Sequence, residues 1–431
     1  MLHFFTIVRR LGPGFMLICI AAAARGDNWE QFRGSKGDGV SHDKNIPIKF
    51  NSQAGVLWKT QLGGAGNSCP VVWGNRLFVQ TTSDSGSERA LVCIDTADGK
   101  VFWKRSIPAG KAHIHKMNSL ASSTPATDGE AVFVSFWDGK DIILAAYSIK
   151  GEPLWQRNFG EFVSEHGAGA SPIVYKNLVI FANDMDRLDK KTKKLTPAPS
   201  RLFALDKKTG TNVWETPREA HRACYSLPFV LENKGAAPEL IVTSTTAITS
   251  YDPLTGRTNW NWKWVFSAKA PLRTVATTAY ANGLLLACSG DGGGDRHMVA
   301  LAMNGFGKEA RPDKLWENKR DFPYVPSPLT RGEHAYFVND SGYAFCFHLK
   351  SGKKVWQERQ PDAKFSASPV MIDGKIYACS EQGDVYVFAA EPTYQQLAKN
   401  SLGALIRATP AVADGRLYIR GGEYLFCIGN K

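Results

Sequence analysis

The chain has no C-x-x-C pair and no C-x-x-C-H, which leaves it without a thiol redox motif or a haem-attachment site. It has no G-x-S-x-G either, and no hydrolase triad suggests itself. The stretch CIDTADGKVFW, residues 93–103, carries two aspartates and a glycine, yet Ala97 and Gly99 stand where a calcium loop needs oxygen ligands. No closing glutamate follows. Dense charge is scarce as well: 21% of residues are charged, and the one basic run, Lys190 to Lys194, reads as a solvated loop.

Long apolar runs are missing except near the start. Arg9 and Arg10 precede an apolar segment, Leu11 to Ala24, that is shorter than the roughly 20 residues needed to span a bilayer. Residues 1–24 therefore read as a signal peptide, and the protein is expected to be exported, to a periplasmic, cell-envelope or secreted location. Cleavage after Ala24 or after Gly26 fits. Met16-Leu-Ile ahead of Cys19 lacks the small residues of a lipoprotein signal, so no lipid anchor is expected. Seven cysteines then remain, an odd number with no pairing pattern, and Cys93, Cys288, Cys346, Cys379 and Cys427 sit in apolar runs as small buried hydrophobes. Loss of Arg9 and Arg10 lowers the formal charge from +12 to +10, which still favours anionic partners. Export argues against nucleic acid.

Gly 40, Pro 22 and 12 Trp among 431 residues point to a turn-rich β protein, and a repeat organises it. The pattern of 93–103 recurs as ALDKKTGTNVW (204–214), SYDPLTGRTNW (250–260) and CFHLKSGKKVW (346–356), and more loosely at 146–155 and 301–316. Each is an apolar strand, a glycine turn and a strand ending in Trp. A second signal alternates with it: a small residue and proline, then two short apolar runs around a turn. Its anchors are Pro70, Pro125, Pro172, Pro228, Thr278, Pro328, Pro369 and Pro410, spaced 41 to 56 residues apart. Such periods with four β-runs each describe propeller blades.

The predicted fold is all-β, an eight-bladed propeller of four-stranded antiparallel blades over residues 56–431. Residues 408–431 supply three strands of the last blade, and VLWKTQL (56–62) is an outer strand with no blade of its own. Pairing the two closes the ring. The turns Asp128-Gly129, Asp373-Gly374, Asp414-Gly415 and Asn282-Gly283 should be tight hairpins with positive φ. Trp58, Trp103, Trp155, Trp214, Trp260, Trp316 and Trp356, at the ends of outer strands, are expected to dock on the neighbouring blade. Trp73, Trp137, Trp262 and Trp264 fall outside that register and are candidates for surface roles.

These D-x-x-T-G-K-x-x-W units and eight anchors resemble the pyrroloquinoline-quinone-like repeat family. The resemblance implies an eight-bladed propeller with tryptophan docking. The family includes large quinone-dependent alcohol and sugar dehydrogenases and smaller non-enzymatic propellers, among them a lipoprotein that assists outer-membrane β-barrel assembly. In size this chain is similar to the smaller group. The dehydrogenases also carry adjacent cysteines against the quinone, and no Cys-Cys occurs here. Residues 25–55 contain NWEQFRGSKGDGV (28–40), which looks like the W-x-Q-F-R-G start of many secreted proteins with this repeat. We read it as a strap across the propeller, with Trp29 and Phe32 buried and Arg33 hydrogen-bonded.

In a four-stranded blade with strands A to D, the B-to-C and D-to-A connections share one face, and here they are the long ones. Function concentrates on such loops. The D-to-A segments rim the channel and carry His113, His115, Lys116, Asn118, His166, His221, Arg222, Tyr225, Arg273, Tyr324, Lys364 and Arg407. These cations and histidines form a funnel for an anionic ligand. His113-Ile-His115 in a strand would put both imidazoles on one face, half of a metal site. Asp291 and Asp295 of SGDGGGDRH could wrap a cation, although a flexible loop reads better.

The expected function is an exported, monomeric, non-catalytic scaffold that binds a protein, an anionic ligand or a polysaccharide at this face. Peripheral association with an outer membrane goes with it, and no cofactor or metal is expected. One alternative is a quinoprotein dehydrogenase that holds pyrroloquinoline quinone with calcium. A second is a carbohydrate-binding propeller.

Overall fold

Eight antiparallel sheets follow one another along the chain in the computed structural model, which describes residues 28–186, 191–192, 199–232, 235–264, 273–290 and 296–430. We number them as blades 1 (71–108), 2 (126–161), 3 (173–218), 4 (229–263), 5 (279–318), 6 (329–359), 7 (370–401) and 8 (411–428). In each the strands run A to D from the channel outward. Blade 8 takes Val56–Gln61 as its D strand, with Trp58 opposite Cys427 and Thr60 opposite Leu425. The ring therefore closes as the pattern predicts, and no blade is left with an unpaired C strand. The expected signal segment, residues 1–24, lies outside the described residues, as do Asp291, Asp295 and most of the Lys190 to Lys194 run.

Alternation along each strand buries both faces of the middle strands between neighbouring sheets. Leu91, Cys93 and Phe78 of blade 1 pack with Val132, Val134 and Phe136 of blade 2 in one such layer. Burying a side chain of this size contributes roughly 1.5–3 kcal/mol, so the inter-blade layers hold most of the apolar stabilisation. All seven described cysteines are buried and unpaired. Asn282-Gly283, Asp373-Gly374 and Asp414-Gly415 have positive φ at both residues, as their hairpins require. Asp128 departs from that expectation. Its Oδ1 accepts the N–H groups of Glu130 and Ala131, and its Oδ2 takes Lys207 Nζ of blade 3, which widens the turn.

A β-bulge precedes each of the seven outer-strand tryptophans. The extra residue turns outward, which leaves Phe102, Leu154, Val213, Leu315 and Val355 exposed while the Trp beside each faces the next blade. Six indoles donate to a carbonyl of that blade: Trp58 to Thr96, Trp103 to Ile149, Trp155 to Lys207, Trp214 to Pro253, Trp316 to Leu349 and Trp356 to Glu391. The turn glycine opposite must be glycine. A Cβ on Gly151, which has φ +88°, would lie 2.7 Å from the Trp103 ring. Trp260 differs, for its Nε1 donates to the buried Glu239 carboxylate of its own blade, and Glu239 in turn accepts Gly307 N–H from blade 5. Trp137 and Trp264, expected at the surface, are buried, each 6% exposed.

The small residue before each anchor has a definite use. Its N–H donates to the side chain of its counterpart in the next blade, from Cys69 to Thr124, Thr124 to Ser171, Leu227 to Thr277, Thr277 to Ser327, Ser327 to Ser368 and Ser368 to Thr409. Thr409 N–H returns to Cys69 Sγ. Leu227 has no such acceptor, so the link into blade 4 is missing.

Residues 28–50 cross the channel on the A-to-B side. Trp29 pairs with Val72 of blade 1, and Val40–Ser41 adds a parallel strand to Val370–Ile372 of blade 7. Between them Arg33, 1% exposed, donates to the carbonyls of Gly37, Asp38, Ser327, Pro328 and Pro369. Phe32 is only half-buried, and faces the channel from below.

Candidate functional site

Each D-to-A connection runs from the outside of one blade to the innermost strand of the next, so its last residues must line the channel mouth. There they enclose a cavity of ≈ 490 Å³ that opens to the D-to-A side, with Phe32 on its floor. All eight connections contribute to it: Asn67, His115 with Asn118, His166, Tyr225, Arg273, Tyr324, Lys364 and Arg407. Eight of the twelve candidate residues thus meet in one place. His113 and Lys116 are exposed and outside the lining, and His221 and Arg222 also lie outside it.

The segment around His113 is irregular rather than a strand, so His113 and His115 do not form a paired face. Instead His115 crosses to the next connection and stacks on His166, with ring centroids 4.5 Å apart and planes 6° from parallel. His115 Nδ1 accepts Met117 N–H. Asn118 ties the same two connections together by donating to the carbonyls of His166 and Ala168. The loop can approach this closely because residue 167 is glycine, at φ +86°, where a Cβ would sit 2.7 Å from Ile114 Cγ2.

Arg273 anchors the opposite side of His166. Its side chain is 3% exposed, and its Nη1 lies 3.1 Å from His166 Nε2, which must accept because a guanidinium only donates. The His166 proton therefore sits on Nδ1, a buried atom without a partner. Burial first, then the positive charge of Arg273, push the His166 pKa down to about 4, so the ring is neutral at physiological pH. Arg273 Nη2 donates to Glu165 Oε2 at 2.8 Å, and Arg222 Nη1 donates to the same oxygen at 2.8 Å. Asp186 lies 3.8 Å from Arg273 and accepts the N–H groups of Glu165 and Ala223. Tyr225 donates to Gly167 O and meets Ser164 Oγ at 3.0 Å. Across the mouth, Arg407 Nη2 lies 3.5 Å from Glu381 Oε2 and 3.4 Å from Met117 Sδ.

The cations therefore converge on the mouth and also engage acids there, which tempers the purely cationic funnel. Glu165, Asp186 and Glu381 were not among the sequence candidates. Glu165 and Arg273 lie 108 residues apart, and no spacing rule joins them. Asn67, Phe32 and Met117 were also missed. A signal for Asn67 existed, since it stands just before the first anchor as the other lining residues stand before theirs.

Among the described residues no group of three or more His, Cys, Asp or Glu is arranged to hold a metal ion. The described residues therefore offer no ligand set for the calcium that would accompany pyrroloquinoline quinone.

A family model described as outer membrane protein assembly factor BamB matches residues 39–187, 195–305 and 313–428. Among solved structures, BamB from Moraxella catarrhalis is 15% identical with TM-score 0.60, the alignment covering 87% of this chain and 97% of that one. The quinohemoprotein alcohol dehydrogenase from Comamonas testosteroni is 13% identical with TM-score 0.62, covering 95% and 82%. Sqt1 from Saccharomyces cerevisiae is 11% identical with TM-score 0.62, covering 88% and 100%. At these identities the likeness is one of fold. No curated protein sequence matches.

Proposed function

The chain belongs to the family described as outer membrane protein assembly factor BamB, and from that premise we propose that it is an exported propeller scaffold whose D-to-A mouth binds an anionic ligand or an acidic segment of a protein partner. The observation that carries this reading is the convergence of all eight D-to-A connections on one cavity, with Arg273, Lys364 and Arg407 in its wall. Lys364 supports it further, since its side chain is exposed at the rim. The remaining charge of +10 adds long-range attraction for the same sign of ligand. Phe32, from the segment that crosses the opposite side of the channel, also lines the cavity and gives it an apolar surface.

Calorimetric titration with a hexaglutamate peptide tests the proposal, using the wild type and the Lys364→Glu/Arg407→Glu double variant. Charge-assisted contacts of this kind predict a loss of roughly 10-fold or more in affinity, and weaker binding of the wild type as salt rises. Equal affinity in both proteins contradicts it. Turnover of alcohols or sugars with added pyrroloquinoline quinone and calcium would replace it with the quinoprotein reading.

A further inference from the structure

Two guanidiniums on one carboxylate oxygen is an unusual economy. Arg222 and Arg273 both donate to Glu165 Oε2, and the Nε of each is buried without a hydrogen-bond partner. Their side chains are 16% and 3% exposed, whereas that of Glu165 is 63% exposed. The cationic half of the arrangement is thus built into the protein; of the two acids beside it, Asp186 is buried 3.8 Å from Arg273, and Glu165, which alone pairs with both guanidiniums, hangs in solvent. The backbone at Glu165 is fixed separately, by Asp186 Oδ2 on its N–H at 2.6 Å. Only the side chain has to swing to vacate the site, and water is available to receive it.

We propose that Glu165 is an internal occupant of a carboxylate site formed by Arg222 and Arg273, and that an incoming organic carboxylate displaces it. The inference rests on the proposed binding role of the cavity. The chemistry of the occupant selects the ligand class: a planar carboxylate is already held here, and guanidinium forks match it. Arg273 is shared between this site and the cavity wall, so the ligand's carboxylate meets Arg273 while its body enters the cavity. Phe32, Tyr225, Val275 and Val325 in that wall favour an apolar or aromatic body. A tethered competitor acts at an effective concentration of about millimolar or more, so it weakens every ligand carboxylate that uses the site. Glu165 therefore sets an affinity threshold, and removal of its charge lowers the threshold.

The test is calorimetric titration of 3-phenylpropionate, its neutral amide 3-phenylpropanamide, and hexaglutamate against the wild type, Glu165→Gln, Glu165→Ala and Glu165→Gln/Arg222→Gln. With Glu165→Gln and Glu165→Ala, 3-phenylpropionate should bind about 10-fold tighter than to the wild type, as release of a tethered competitor predicts. The amide should bind all four proteins alike, and the added Arg222→Gln change should cancel the gain. A gain with 3-phenylpropionate alone identifies a small-molecule carboxylate, and a gain with hexaglutamate identifies an acidic peptide. Equal or weaker carboxylate binding by both Glu165 variants overturns the inference, and if the amide still binds, the cavity reading stands without it. No binding of any probe to any of the four proteins overturns both.

Discussion

The backbone N–H of Thr409 donates to Cys69 Sγ at 3.1 Å, across 340 residues of chain, and this contact joins the last blade to the first at the channel. It belongs to a series of hydrogen bonds that runs from blade to blade and is interrupted only at the entry to blade 4, and the outer-strand pairing of Val56–Gln61 closes the ring at the rim. Cys69→Ala removes the sulfur acceptor and leaves a buried donor unsatisfied, at a cost of about 1–3 kcal/mol. Cys69→Ser restores an acceptor and should recover most of the loss. Urea unfolding of the three proteins checks the order. Burial pushes the Cys69 thiol pKa up, so the native protein should also react slowly with a thiol reagent at pH 8.

Docking of the outer tryptophans predicts a paired effect. Trp103→Ala removes a nearly buried indole, at a typical cost of about 3–5 kcal/mol. Gly151→Ala should also destabilise, because it forces both a positive φ and a collision with the same ring. Asp98→Ala, in the exposed turn where Asp98 meets Lys100, should leave the melting temperature within a degree or two. Differential scanning calorimetry separates the three.

Acidification should weaken the protein in two steps. His166 is held to about 4, below its ordinary 6.5, so between those values the unfolded chain binds a proton that the folded one does not. Stability must then fall as pH drops through that window. Burial pushes the Glu165 carboxyl up, but its hydrogen bond from Arg273 and the charges of Arg222 and Arg273 outweigh this and hold it below the ordinary 4.5. Its stabilising share is present above 4.5 and is lost only below that. His166→Gln should flatten the upper part of the profile, from pH 6.5 to 4, and leave the lower part. Melting temperature against pH for both proteins measures it.

Arg33 predicts the behaviour of the strap. Burial lowers its pKa to about 10, and Asp38 only partly offsets this, yet five backbone carbonyls depend on its donors. Arg33→Met leaves those from blades 6 and 7 unpaired. Limited proteolysis should then cut within residues 28–50 at a protease level that leaves the wild type intact.

The blade count, the ring closure and the outer tryptophans were legible because they repeat, and repetition turns weak local signals into strong ones. Asp128 was misjudged because its side chain has a use outside its own turn, with Lys207 of the next blade. The HIH segment was misjudged for a similar reason: a strand pattern predicts side chains on one face, but these residues follow the rim of the channel. Converging candidates at the mouth followed from topology alone. Their pairing with Glu165, Asp186 and Glu381 did not, since it depends on contacts between connections that no local pattern encodes.

The central claim is that ligands enter the cavity at the D-to-A mouth, and filling that cavity without altering charge tests it most directly. Val275→Trp adds bulk to the wall while leaving Arg273, Lys364 and Arg407 in place. Titration of hexaglutamate and 3-phenylpropionate into this variant, with its melting temperature measured in parallel, should show a wild-type fold and loss of binding. Wild-type affinity for both probes in the filled protein would place the binding surface elsewhere and contradict the account.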